Sequence, residues 1–297
     1  MNVIELFRSF QTDEQALDHL ERTRWHGHPV CPYCQGEKIS RHASGDRKAP
    51  RWQCQDCSRA FAVTVGTIFH GTHMPLKTWF LVLALMLNAK KSASSCQIAR
   101  DIGVRQATVW TMMHRIRTAM LDDAAQNTLL HGIVEADETY IGGKPRKGNK
   151  RDGGTPSKRG RGTSKTAVVG VIERGGRVIA QPVEKGELSN KGLMKFITRF
   201  VDTAASLLIT DEYSGYAAIG ATMRHATINH TVAYAEGPIH TNNIEGFWAL
   251  VKRAWYGSHH HYSRKYMPLY IAESCYKFNV RKSRDDFGGL LKLMAAA

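Results

Sequence analysis

The sequence predicts a multidomain chain in which a small cysteine-bound module and an all-α segment precede an α/β domain. Three observations predict this. Two Cys-x2-Cys pairs, at 31–34 and 54–57, are separated by 19 residues. From 75 to about 120 the apolar residues recur at helical spacing. After 130 the composition turns to runs of strand formers, with amphipathic helices later. At 297 residues, 42% hydrophobic and 23% charged, the chain is long enough for such divisions and composed like a folded protein. The expected divisions are 1–70, 71–128 and 129–290, the last carrying a basic insertion at 144–165.

The first segment opens with a helix over 12–25, with Thr12 at its N-cap and Ala16, Leu17 and Leu20 on one face. Its neighbour holds Cys31, Cys34, Cys54 and Cys57. The start "MNVIELFRSF" lacks the apolar stretch and small-residue cleavage site of a signal peptide, which points to the cytoplasm. In a reducing compartment, four thiols at this spacing read as a tetrahedral zinc site rather than as disulfides. All four positions are cysteine, so the Zn2+ would be structural, with no open coordination position. "RWQC" and "RAFAVTVGTIF" supply the strands of a zinc ribbon. Cys96 and Cys275 read as buried thiols.

The all-α segment begins at Pro75 with "PLKTWFLVLALMLN". Its apolar run, 79–87, is about half of a membrane span, so a core helix is expected and no membrane partner. "SSCQIARDIG" gives a short helix stopped by Gly103. "VRQATVWTMMHRIRTAM" then restarts with Val109, Met112, Met113 and Ile116 at i, i+3, i+4, i+7. Helix, glycine turn, helix is the layout of a helix-turn-helix DNA reader, and a plain helical hairpin gives the same pattern. Arg105, Gln106, Thr108, Thr111 and Arg115 are the outward candidates for contact with bases or phosphates.

"GIVEADETYIGG", 132–143, follows as a strand that carries Glu135, Asp137 and Glu138. A desolvated carboxylate is costly unless a cation or hydrogen bonds compensate for it. Strand alternation puts Glu135 and Asp137 on one face and Glu138 on the other. The insertion "KPRKGNKRDGGTPSKRGRGTSK" holds nine Lys/Arg and one Asp, or +8 of the chain's +15. One-signed charge without apolar periodicity fits contact with nucleic-acid phosphates, through Lys144, Arg146, Lys147, Lys150, Arg151, Lys158, Arg159 and Arg161. Next come a hairpin about Arg174-Gly175-Gly176, an amphipathic helix over 190–204, and a strand "SLLITDEYSGY" ending in Asp211-Glu212. "MRHATINH" reads as a short fifth strand. "TNNIEGFWALVKRAWYG" is a helix capped by Thr241 or Asn242 and stopped by Gly257.

Asp137 on one strand, Asp211 at the end of another and Glu245 on the helix after it can converge on one point. Hard oxygen ligands of this kind suit Mg2+ or Mn2+, and two such ions serve in-line phosphoryl displacement. Lys252 lies two helical turns beyond Glu245 and can hold a phosphate as a point charge. Phe247, Trp248, Trp255 and Tyr256 read as core rather than as base-stacking residues. In "GSHHHYSRKY", Arg264 and Lys265 are candidate phosphate contacts, and three adjacent histidines do not share one ion comfortably.

Over nearly its whole length the chain resembles the DDE-type insertion-sequence transposases with an N-terminal zinc ribbon, the ISXO-like family. The marks are "CPYC…CQDC", "FAVTVGTIFHGTHMPLKTWF", "EADETYIGGK", "ITDEYSGY" and "HTNNIEGFWALVKR". The resemblance implies a ribonuclease-H-like catalytic domain in which Asp137, Asp211 and Glu245 hold two Mg2+ or Mn2+ ions. It selects Asp137 where alternation alone leaves Glu135 equally eligible. The 33 residues between Asp211 and Glu245 fit such transposases, and Lys252 matches the accompanying basic position. Some relatives use Asn as third ligand, and Asn242 and Asn243 lie within a turn of Glu245. An anion binds Mg2+ better than an amide does, which favours Glu245. The function implied is binding of the element's terminal inverted repeats, metal-dependent DNA cleavage and strand transfer to target DNA. Joining two ends calls for more than one active site, hence a homo-oligomer on DNA. A metal-dependent nuclease without strand transfer, or an inactive DNA-binding regulator, would share most of these features.

Overall fold

A computed structural model describes residues 1–41, 51–124, 129–143, 165–229 and 239–296. The insertion's candidate contacts, Lys144, Arg146, Lys147, Lys150, Arg151, Lys158, Arg159 and Arg161, lie outside the described residues. The chain divides into two compact units, Met1–Asp123 with Lys282–Ala297, and Ala124–Arg281.

The first unit begins with α1 (Val3–Ser9) and α2 (Asp13–Trp25). As expected, Thr12 caps α2: its hydroxyl accepts the Gln15 N–H at 3.3 Å, and the Gln15 side chain accepts the Thr12 N–H at 3.2 Å. A three-stranded antiparallel sheet follows, β1 (Ile39–Arg41), β2 (Trp52–Cys54) and β3 (Ala60–Phe61). Arg24 of α2 donates to the carbonyls of Val63 and Val65 at 2.6 and 2.7 Å, tying the ribbon's exit to the helix. The apolar run forms α3 (Leu76–Asn88), which buries Trp79, Phe80, Val82, Leu83, Ala84 and Met86. Among the described residues, no helix is long and apolar enough to cross a membrane. α4 (Ser95–Ile102) ends at Gly103, whose φ of 67° suits glycine. α5 (Gln106–Ala124) buries Val109, Met112, Met113 and Ile116, the stripe its spacing predicted.

The grouping differs from the expected boundaries. The ribbon and the helices form one unit rather than two, and the last helix, α9 (Asp286–Ala296), joins them instead of extending the α/β domain to 290. The reason is its apolar stripe, Phe287, Leu290, Leu291 and Met294, which packs on α2 and α3. Phe287 meets Phe80 edge-on at 5.7 Å between ring centres.

The second unit is built on a mixed five-stranded sheet in the order β6-β5-β4-β7-β8, where β4 is Leu130–Ile141, β5 Thr166–Glu173, β6 Val178–Val183, β7 Val201–Thr210 and β8 Arg224–Thr227. β4, β5 and β6 run antiparallel, turning at Gly175 with φ 76°. β7 pairs parallel with β4, and β8 parallel with β7. β8 is the short fifth strand that was expected. α6 (Asn190–Phe200) stops four residues short of its predicted end. The β-branched Val201 opens β7 and pairs with Leu130, so sheet pairing overrides helical continuation there.

Each sheet face has its own core. Val134 and Ala136 of β4 pack with Leu193, Ile197 and Phe200 of α6. On the opposite face, Ile141, Val168 and Val178 pack with α7 (Asn242–Arg253) and α8 (Met267–Asn279) through Ile244, Phe247, Trp248, Ile271 and Cys275. α7 does not stop at Gly257; it continues as a π-helical turn over Ala254–His259, closed by His260 at φ 55°. By alternation, Glu135 and Asp137 lie on the α7 face.

Candidate active site and metal centre

The four cysteines converge. Their sulfur atoms all lie within 4.8 Å of one another, with Cys31–Cys57 at 3.7 Å and Cys34–Cys54 at 3.6 Å. A tetrahedral ZnS4 centre with Zn–S bonds of about 2.3 Å has edges of about 3.8 Å, so the cluster fits Zn2+ with all four thiolates bound. Burial would raise the Cys31 thiol, but N–H donors from Tyr33 and Cys34 and neighbouring thiols bring it down to about 7. At Cys34 the Gly36 N–H acts downward, while burial and the other three thiols push the value up to about 12. Cys31, Cys54 and Phe61 form a small core under Trp25, Ile39 and Trp52. Of the two remaining cysteines, Cys275 is buried as expected; Cys96 is instead exposed, on the outer side of α4.

The acids gather at one end of the sheet of the second unit. Asp137 sits on β4, Asp211 directly after β7, and Glu245 in the first turn of α7. The Asp137 carboxyl is pushed up to about 7, first by burial and then by the charges of Glu138, Asp211 and Glu245. Asp211 and Glu245 thus both lie near enough for their charges to act on the Asp137 carboxyl. They do not close as tightly as the thiols: among the described residues, the cysteines alone form a group of three or more such ligand atoms within 4.8 Å.

Each acid is held by its own donors. Asp137 accepts the Glu138 N–H at 2.8 Å and the Trp248 indole N–H at 3.1 Å. Asp211 accepts the Tyr213 N–H at 3.0 Å, and the Thr241 hydroxyl donates to Glu245 at 2.9 Å. Trp248 reaches Asp137 because Gly170 stands opposite it on β5. A Cβ at Gly170 would lie 2.8 Å from two indole carbons. The glycine inside a β-rich run was the sequence signal for that close approach. Glu138 faces the other way, as alternation predicts, and accepts from the buried Tyr216 hydroxyl at 3.4 Å. Burial first, then Glu138, Asp137 and Asp211, raise Tyr216 well above the ordinary phenol value, so it remains a donor.

The sequence profile of the ISXO2-like transposase domain matches residues 129–279, and that of the transposase zinc-ribbon domain matches residues 11–60. The chain belongs to the ISXO2-like transposase family. A protein of transposable element ISH50 from Halobacterium salinarum, itself uncharacterized, is 27% identical over 274 residues, covering 89% of this chain and 90% of that one. Among solved structures, the Mos1 strand transfer complex aligns at TM-score 0.31 and 13% identity, over 73% of this chain and 74% of that chain. A pre-cleavage Mos1 transpososome aligns at 0.28 and 11%, over 97% and 95%.

The remaining candidate residues of this transposase are distributed unevenly. Lys252 is exposed in the last turn of α7. Arg105, Gln106 and Thr111 are exposed at and after the start of α5, with Thr108 half-buried. Gln106 donates to Ser95 at 2.7 Å, and the Thr111 hydroxyl donates to the Ala107 carbonyl at 3.0 Å. Arg115 differs from expectation. It is half-buried and donates to the carbonyls of Ile68 and His70, both at 3.0 Å, so its head group holds that turn instead of facing outward. Arg264 is paired with Glu184, and Lys265 lies over the Tyr266 ring at 5.4 Å. Phe247, Trp248 and Trp255 are core as expected, whereas Tyr256 is 58% exposed. His259 packs on Tyr262 and Tyr270, and His261 on Trp255. Glu135's partners carry no local sequence signal: it is fully buried against Arg174, His240 and the start of α7.

Proposed function

We propose that the chain is a DDE-type DNA transposase that cleaves the ends of its insertion sequence and joins them to target DNA. The observation that carries this is the gathering of Asp137 on β4, Asp211 just past β7 and Glu245 on α7 at one end of the sheet, where burial and then the charges of Glu138, Asp211 and Glu245 push the Asp137 carboxyl up to about 7. Carboxylates crowded from two strands and a helix repel one another, and a hard divalent cation relieves both repulsion and burial. Asp137, Asp211 and Glu245 would hold two Mg2+ or Mn2+ ions. Such ions, when bound, activate the attacking oxygen and stabilise the leaving oxygen of a phosphoryl displacement. The sheet order, an antiparallel β6-β5-β4 meander continued by parallel β7 and β8, supports a ribonuclease-H-like reading of this domain.

In the reaction, water attacks the phosphodiester at the element's end and frees a 3′-hydroxyl. That hydroxyl then attacks a phosphodiester of target DNA, whose own 3′-oxygen leaves. Asp137 must lose its proton to hold a cation, so metal binding at this site would release a proton. Lys252 would hold a phosphate near α7. α4, the Gly103 turn and α5 act as a helix-turn-helix, with Arg105, Gln106, Thr108 and Thr111 toward the terminal repeats. The +8 insertion after β4, and Arg264 and Lys265, would add sequence-independent phosphate contact. Joining two ends calls for a homo-oligomer on DNA.

The test is cleavage of labelled DNA carrying the element's ends, with Mg2+, Mn2+ or chelator, by the parent and by Asp137→Asn. The parent should nick at the ends and join to a second duplex only with divalent metal, and Asp137→Asn should do neither. Undiminished activity in the variant would falsify the site. Nicks without joining would make the chain a nuclease, and tight metal-independent binding without nicks would make it a regulator.

A further inference from the structure

We propose that Glu135 is a positioning residue that sets Glu245 relative to Asp137 by capping α7 from the neighbouring strand; the inference rests on reading those two acids as parts of one reactive site. Glu135 is fully buried, two residues before Asp137 on the same face of β4. Its Oε2 accepts the backbone N–H groups of Asn243 and Ile244 at 2.9 and 3.1 Å. Its Oε1 accepts the Asn243 side-chain amide at 2.8 Å and Arg174 Nε at 2.7 Å.

These contacts do what an N-cap side chain normally does. The first backbone N–H groups of a helix lack intrahelical partners, and a negative charge there also suits the helix dipole. Thr241 occupies the cap position but makes no side-chain cap bond. Its hydroxyl is turned forward onto Glu245, at 2.9 Å. The cap is therefore supplied from 108 residues away, by the strand that bears Asp137. Asn242, expected as an alternative cap, is the exposed first residue of α7.

The same contacts exclude Glu135 from ligand duty. A carboxylate offers about four lone-pair sites, and four donors take them. Asn243 is likewise committed, its amide nitrogen donating to Glu135. Arg174 balances the buried charge and is itself fixed: its N–H donates to Ile133 of β4 at 3.0 Å, and its Nη2 to the His240 carbonyl at 2.9 Å. One ion pair thus joins the β5–β6 hairpin, β4 and the entry to α7, with Glu245 one residue past the last capped amide.

The experiment compares Glu135→Gln and the double variant Glu135→Leu/Arg174→Met with the parent. The readouts are amide hydrogen exchange at 243–245, Mn2+ binding by calorimetry, thermal melting and cleavage. Glu135→Gln should exchange at Asn243 and Ile244 on the order of tenfold faster. Its Mn2+ affinity, and the Mn2+ needed for half-maximal cleavage, should worsen on the order of tenfold, the range for residues that orient metal ligands. The double variant leaves no uncompensated buried charge, so it should melt near the parent yet still bind Mn2+ weakly. Parent-like Mn2+ binding in the double variant would reduce Glu135 to a stability role and overturn the proposal. Unchanged exchange at Asn243 and Ile244 in Glu135→Gln overturns the cap alone. An Asp137→Asn chain that binds Mn2+ like the parent overturns the reading of the acids, and the positioning role with it.

Discussion

Asp137 is the residue where stability and the proposed chemistry meet. Its folded-state value of about 7 lies above the ordinary carboxylate value of 3.8, so the native state keeps a proton that the unfolded chain releases. Stability from that proton is fully present below pH about 4 and is lost as pH rises through about 7. In chelator, the melting temperature of Asp137→Asn relative to the parent should therefore increase between those limits, because the amide never ionises. A difference that stays flat across that window contradicts the buried-acid account. Gly170 tests the same carboxylate from the opposite strand. Gly170→Ala puts a methyl 2.8 Å from the Trp248 ring, which must shift and weaken its bond to Asp137. Overpacking of this kind costs about 1–3 kcal/mol. Chemical denaturation would measure it, and an altered near-ultraviolet tryptophan signal would report the moved indole.

At the scale of elements, legibility follows the distance over which a signal acts. The α2 cap, the Gly103 stop and the inward stripe of α5 are set by neighbours within a few residues, and the sequence displays all three. The α6–β7 junction is set by pairing of Val201 with Leu130, and α7's cap by Glu135, so neither shows in a local window. Cysteine spacing is the exception: thiol chemistry is distinctive enough to announce a contact across 19 residues. The ribbon's strands are only three, three and two residues long over a small core, so metal must supply much of its folding energy. Elemental analysis should find one zinc per chain in the parent and none in Cys54→Ser. Circular dichroism and proteolysis should then show the 31–61 region opened, with the sheet of the second unit melting as before. Retention of zinc and of protease resistance in Cys54→Ser would deny the four-thiolate site.

For the molecule as a whole, strands followed by helices were enough to announce the α/β domain, and the acids' positions on it were legible once their strands were placed. The partner of the last helix was not. An apolar stripe at Phe287, Leu290, Leu291 and Met294 says that α9 is buried, but not against which surface. The structure gives the answer as α2 and α3, so the first unit is assembled from both ends of the chain. Each such side chain contributes about 1.5–3 kcal/mol when fully buried, and domains are stable by only about 5–15 kcal/mol. Truncation after Arg281 removes all four, together with the Phe287–Phe80 contact and the Met1–Asp286 ion pair at 3.6 Å. The first unit should then lose its cooperative melting transition, while the second, whose strands and α6–α8 are all retained, should keep its own. Calorimetry resolves the two. Loss of the second unit's transition alone would instead place α9 with the sheet.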